Sequence, residues 1–186
     1  MGRLIYSAIC SLDGYVADRD GSFHWAVPDP EVHAFVNTLQ RPVGTYLLGR
    51  RMHEVMSAWD RPDEFVGESP EMQEFAEIWA GADKVVYSRT LEEVATRATR
   101  LEREFDATAV RRMKQESSRD LSIGGPTLAA HALREGLVDE CHLFLCPIVV
   151  GGGTRVWPDG LRQRLVLLDE HRFYGGVVFL RQLVAI

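Results

Sequence analysis

Asp120-Leu121-Ser122-Ile123-Gly124-Gly125-Pro126-Thr127-Leu128 is a short apolar run that ends in two glycines and a proline. The run reads as a buried strand and Gly124-Gly125 as a tight turn. Pro126 then opens a helix that extends through Arg134 and is stopped by Gly136. A strand that turns directly into a helix leaves the first helical N–H groups, here of Thr127 and Leu128, pointing outward at the positive end of the helix dipole. Glycine tolerates positive φ and close backbone approach, so the turn is either an anion nest or only a tight connection.

The same strand-to-helix punctuation recurs upstream. Leu4 to Cys10 is a β-rich run closed by Ser11-Leu12-Asp13-Gly14, and Thr45-Tyr46-Leu47-Leu48 ends at Gly49 before a short helix, Arg50 to Met56. Asp29 is placed to cap a helix with Pro30 in its first turn and Val32, Phe35, Val36 and Leu39 at helical spacing. Asp60 to Pro70, acidic with two prolines, reads as a surface loop before a helix from Glu71 to Trp79. Lys84-Val85-Val86-Tyr87 is a third buried strand, ending at Ser88-Arg89-Thr90; a short strand near Arg100-Leu101-Glu102 and a helix from Ala107 to Gln115 follow. Two late apolar runs, Glu140 to Val150 and Gly175 to Val184, argue for an antiparallel pair appended to a mostly parallel sheet. The expected fold class is α/β, a mixed sheet flanked by helices, in one domain covering residues 1–186.

Composition removes several function classes. Twenty-one basic against 27 acidic residues give a formal charge of −6, the wrong sign for nucleic acid or an anionic membrane as the main partner. No apolar run reaches signal-peptide or membrane-span length. Cys10, Cys141 and Cys146 are odd in number and lie in apolar stretches, so reduced thiols and a cytoplasmic location are expected. No metal site is expected: in a strand Cys141 faces one side while His142 and Cys146 face the other. No Gly-x-Ser-x-Gly elbow is present.

Three strand ends carry groups suited to phosphate. Gly49-Arg50-Arg51 places two guanidiniums on the first turn of a helix, where an anion would relieve their conflict with the dipole, unless they are simply solvated. Ser88 and Arg89 add hydroxyl and guanidinium donors, and Gly124 to Thr127 adds backbone N–H groups. Together they favour an extended, phosphate-rich ligand such as a dinucleotide.

Five segments in this order resemble the dihydrofolate-reductase-like fold, in the branch containing the reductase domain of bacterial riboflavin biosynthesis, the RibD C-terminal domain. They are Ser11 to Ala17, Leu48 to Met52, Val86 to Thr90, Ile123 to Leu128, and Pro147-Ile148-Val149-Val150-Gly151-Gly152-Gly153. The resemblance implies a three-layer sandwich, NADPH as cofactor, a small-molecule substrate, and hydride transfer to a small heterocycle or ribosylaminopyrimidine phosphate. By the resemblance, Gly124, Gly125, Pro126, Thr127 and Leu128 hold the pyrophosphate, across a tight Gly124-Gly125 peptide open to the cis form. Gly49, Arg50, Arg51 and Met52 take the other phosphate side, and Ser88 with Arg89 flank the adenosine 2′-phosphate. Ala8, Ile9, Val16 and Ala17 line the nicotinamide, and Trp25 and Arg155 meet the substrate.

One position departs from the resemblance. Dihydrofolate reductases carry a pterin-anchoring carboxylate about five residues after a tryptophan; after Trp25 that place is Pro30, between Asp29 and Glu31. Folate turnover is therefore expected to be weak at best. Proton donors are sought in Asp13, Asp29 and Glu31, although Asp13 also suits an Asp-Gly turn and Asp29 a helix cap. The rival class is a non-catalytic dinucleotide-binding or dimerisation module, with a homodimer surface near Leu143, Leu145 and Ile148.

Overall fold

The computed structural model describes residues 1–61, 67, 69–94 and 96–185. The described chain runs β1 (Leu4–Ser11), β2 (Tyr15–Ala17), α1 (Pro30–Gln40), β3 (Val43–Gly49), α2 (Arg50–Met56), α3 (Pro70–Ala80), β4 (Asp83–Tyr87), β5 (Thr99–Glu102) and α4 (Ala107–Glu116). It continues through β6 (Asp120–Gly124), α5 (Pro126–Arg134), β7 (Glu140–Cys146), β8 (Thr154–Arg155), β9 (Arg164–Arg172) and β10 (Val178–Ala185). Most of the acidic stretch expected as a loop between Asp60 and Pro70 lies outside the described residues.

Eight strands form one sheet in the order β5-β4-β3-β6-β1-β7-β10-β9. The first six are mutually parallel, and β10 runs antiparallel to both β7 and β9. Both faces of the parallel part are covered, which explains why β1, β3, β4, β6 and β7 are continuous apolar runs rather than alternating ones. One face packs α4 and α5 through Val110, Leu128, Ala129, Ala132 and Leu133. The other packs α1 and α3 through Val32, Phe75 and Trp79. The three-layer α/β sandwich is thus the observed architecture. α5 ends at Arg134 with Glu135 as its C-cap, and Gly136, at φ +62°, follows the cap and turns the chain away.

Two features escaped the sequence. β9 is an edge strand with eight of nine residues exposed, so it carries neither the apolar run nor the clean alternation that marks a half-buried strand. The two-stranded sheet of β2 and β8 joins segments about 140 residues apart and has no local signal. The strand bearing Leu143 and Leu145 is interior, between β1 and β10, and therefore offers no edge to a second copy.

The amino ends of the parallel strands are tied by charge. Glu140, at the start of β7, accepts a bidentate pair from Arg181 on β10, at 2.7 and 2.9 Å, and a third guanidinium bond from Arg3 at 2.8 Å. His142 Nε2 lies 3.1 Å from the same carboxylate. Arg3 also pairs with Asp120 at the start of β6, so the cluster spans four strands. Burial pushes the Glu140 carboxyl up, but hydrogen bonds from Arg181 and His142 and the charges of both arginines outweigh it and bring it down to about 2. A carboxyl lowered on folding stabilises fully above its unfolded value and loses that contribution as the pH falls from about 4.5 to about 2. Glu140→Gln should therefore cost about 1 to 3 kcal/mol near neutral pH. Urea denaturation across that acid range should show a shallower loss of stability in the variant than in the wild type.

Candidate functional site

In open α/β sheets ligands sit beyond the carboxyl ends of the parallel strands. Here β4, β3, β6 and β1 are neighbours, with Gly49 paired to Tyr87 and Leu48 to Gly124. The three strand ends singled out in the sequence, Ser88, Gly49 and Gly124-Gly125, thus stand side by side. At about 4.8 Å between strands, the four ends span roughly 14 Å.

The helices that start there differ from the others. Asp29, Ser69 and Asp106 cap α1, α3 and α4 with their own side chains. Neither α2, preceded by Gly49, nor α5, preceded by Gly125, receives a side-chain cap. The first N–H groups of α5 are therefore left for water or an anion. Gly125 makes this turn at φ +89°, a conformation side chains rarely adopt. A Cβ on Gly124 would sit 3.2 Å from Met52 Cγ and 3.3 Å from Leu48 Cδ2, which fixes how closely this turn packs on α2. No cis peptide occurs among the described residues. The cis form considered for Gly124-Gly125 is thereby corrected: the positive φ of Gly125 reverses the chain with a trans bond.

The polar side chains at these ends are partly engaged. Arg50 pairs with Glu54 one turn along α2 at 2.7 Å and donates to Thr90 at 2.9 Å, so its conflict with the helix dipole is relieved internally. Arg51 is exposed and makes no ion pair among the described residues. Ser88 Oγ accepts from the N–H groups of Thr90 and Leu91, at 3.3 and 3.0 Å, shaping the turn after β4 while its own proton stays available to donate. Arg89, 78% exposed, reaches Glu104 at 3.2 Å, a pair that contributes little in water.

A second cluster surrounds the glycine triplet. The Asp13 carboxylate accepts from Val150 N–H at 3.1 Å and Gly151 N–H at 2.8 Å, fastening the turn after β1 to the segment beyond Pro147. A hydrogen bond from the Ser11 hydroxyl, then those from the two backbone groups, holds its carboxyl below the ordinary aspartate range. Arg19 donates to the Gly151 carbonyl at 3.1 Å. A Cβ on Gly153 would collide with the Ala17 carbonyl at 2.1 Å, so this segment lies directly on the end of β2. Arg155, 63% exposed, lies 3.7 Å from Asp159 and 5.7 Å from the Tyr15 ring.

Beside β1 lies a cavity of about 240 Å³ that is partly open to solvent. It is lined by the segment from Trp25 to Asp29, by Ile9 and Val32, and by Cys146, Pro147, Gly175 and Val177. The Trp25 indole N–H is buried with no acceptor among the described residues. Asp29 Oδ1 accepts from Val32 N–H at 2.9 Å as the cap of α1. Its Oδ2 would lie 2.7 Å from a Cβ on Gly175, so that glycine leaves room for the carboxylate. Burial raises the Cys146 thiol, which makes it a neutral wall.

Of the proton-donor candidates, only Asp29 lines this cavity; Glu31 accepts from Tyr174 N–H at 2.9 Å. Ile9 enters the cavity, whereas Ala8 and Val16 pack against the core on the α4 and α5 side. Cys146, Pro147, Gly175 and Val177 were missed from sequence because they arrive from the other end of the chain. No cluster of metal-ligating side chains occurs among the described residues. No helix among them is long and apolar enough to cross a membrane.

The sequence profile of the RibD C-terminal domain matches residues 3–179. The chain belongs to the RibD C-terminal domain family. This RibD C-terminal domain is 27% identical over 182 residues to the uncharacterized protein YyaP of Bacillus subtilis, covering 95% of this chain and 92% of that protein. Its fold matches a putative riboflavin biosynthesis protein from Shewanella sp. PV-4, with TM-score 0.76, 21% identity and 99% of each chain covered. It also matches RibD of Acinetobacter baumannii, with TM-score 0.72 and 17% identity, where all of this chain overlies 58% of that one.

In this RibD C-terminal domain, Asp13→Ala should release the glycine segment. Hydrogen exchange at Val150 and Gly151 should accelerate at least ten-fold, while exchange in β3 and β6 stays unchanged.

Proposed function

We propose that this chain is an NADPH-dependent reductase that delivers hydride to a small heterocyclic acceptor of the ribosylaminopyrimidine kind. The observation that supports this best is the pair of helices without side-chain caps, α2 and α5, opening at adjacent strand ends, while α1, α3 and α4 are capped by their own residues. The positive φ of Gly125 and the close packing of Gly124 on Met52 leave a backbone cradle without side chains over it, which fits a pyrophosphate. Thr127 and Leu128 would give N–H groups to one phosphate. Arg51, the Ser88 hydroxyl and Arg89 would meet a 2′-phosphate. When bound, NADPH supplies the hydride. The chain's part is to orient the acceptor: Ile9 and Pro147 keep water from the reacting face, while Asp29 or water provides the proton.

A second reading, a dinucleotide-binding module without turnover, draws on the carboxylates: Asp13 and Glu31 are spent on backbone N–H groups, and half of Asp29 on a helix cap. Binding of NADPH without oxidation by any acceptor would favour it. Weak dihydrofolate turnover is the remaining alternative, since Pro30 occupies the aligned carboxylate position.

Self-association is also proposed, through the edge strand rather than β7. Val166, Leu167 and Leu168 are 40%, 51% and 46% exposed on β9. Antiparallel pairing with a second copy centred on Leu167 sets Arg164 of each chain against Glu170 of the other. Size-exclusion chromatography should show a dimer, and Leu167→Lys should yield the monomer.

Calorimetric titration should give a preference for NADPH over NADH of roughly ten-fold or more, the worth of one charge-assisted contact. Equal affinities would remove the 2′-phosphate assignment. Gly125→Val should keep the wild-type circular dichroism at 20 °C or below and lose NADPH affinity at least ten-fold, because a β-branched residue resists φ near +89° and covers the cradle. A folded variant with normal affinity would place the cofactor elsewhere.

A further inference from the structure

We infer that the acceptor bound in the cavity beside Ile9 is an uncharged heterocycle that carries no phosphate. The inference rests on the reductase reading and narrows its substrate class. Three observations lead to it.

The first is size. At about 240 Å³, and partly open to solvent, the cavity is smaller than the roughly 300 to 1,000 Å³ usual for a drug-sized ligand. That suits a small ring system whose larger substituents extend past the mouth, so the lining's charge decides whether a phosphate is tolerated.

The second is charge. No lysine, arginine or histidine is among the residues lining the cavity. The side chain expected to meet a substrate phosphate, Arg155, lies instead beside Asp159 and the Tyr15 ring. A phosphate entering this wall would lose water without gaining a cation, which is unfavourable in proportion to its charge. It would also meet Asp29, which is part of the same lining and whose Oδ2 lies against Gly175. A carboxylate in that position repels a phosphorylated ligand.

The third is the polar inventory. Besides Asp29, the lining includes Trp25, whose indole N–H is itself buried away from the cavity's solvent. The other lining side chains, Ile9, Val27, Val32, Pro147 and Val177 among them, are apolar and suit the face of a neutral ring. The wall therefore selects by shape and apolar contact, with the Asp29 charge acting to exclude anions.

The test compares a ribosylaminopyrimidine with its 5′-phosphate, each titrated into the protein saturated with NADPH and followed by calorimetry and NADPH oxidation. The unphosphorylated member should bind roughly ten-fold more tightly. Asp29→Asn keeps a residue that caps helices well and removes the negative charge, so the variant should narrow that ratio to three-fold or less. Equal affinities, a preference for the phosphate, or failure of both members to bind would overturn the inference. An unchanged ratio in Asp29→Asn would overturn the role given to Asp29. A thermal-shift titration with NADPH alone separates the two levels. No shift would bring down the reductase reading itself, whereas a normal shift with the phosphorylated member preferred would bring down only this inference.

Discussion

The hydrogen-bond ladder that holds β4, β3, β6 and β1 parallel is the constraint on which the rest of the molecule depends. Parallel strands need a crossover between them, and each crossover here returns over the sheet as a helix or a longer connection. Because the strands run the same way, their carboxyl ends lie along one edge with the helix starts beside them. Ser88, Gly49 and Gly125 are tens of residues apart in the chain yet follow adjacent strand ends. The opposite edge carries the charges that fasten the ladder: Glu140 draws in Arg3, Arg181 and His142, and Arg3 extends the cluster to Asp120. One edge is closed by ion pairs, and the other keeps backbone N–H groups at the start of α5 without side-chain caps.

The two edges use polar groups in different ways. Around Glu140 every described partner is satisfied by another side chain, so the cluster is stable and chemically quiet. At the carboxyl edge many side chains that look reactive in isolation are structural. Asp13 binds the glycine segment, Glu31 holds the Tyr174 amide, Ser88 folds its own turn and Arg50 neutralises Glu54. What stays available is backbone at α5, one oxygen of Asp29 and the guanidinium of Arg51. A site with few free ionisable groups suits hydride transfer, in which a cofactor carries the electrons and the protein supplies orientation and shelter from water.

β9 stands apart from this economy. It ends the sheet, with α1 reaching it through Phe35 stacked on His171, and leaves valine and leucine side chains exposed along an edge whose backbone groups face outward. Monomeric proteins generally shorten or charge such edges. Here charge is confined to the two ends of the strand, Arg164 at one and Asp169, Glu170 and Arg172 at the other, with apolar residues between.

The sequence by itself determined the strands that are buried on both faces, the helices that begin with a capping residue or proline, and the double-glycine turn. Apolar runs, caps and glycine preferences are local properties, which short-range sterics and hydrogen bonding decide. For that reason Asp29 before Pro30, Gly136 after Arg134 and Gly124-Gly125 after Ile123 were legible before any contact was known. β9 was not, because an exposed strand has no burial pattern to read. Tertiary structure alone decided which residues meet: that Asp13 lies against Gly151, that Ile9, Trp25, Pro147 and Gly175 line one cavity, and that Asp29 serves both a helix cap and that cavity. The physical reason is that these contacts join segments separated by up to about 140 to 170 residues, and only the strand order brings them together, since hydrophobic burial rewards covering the sheet without specifying which loops then become neighbours.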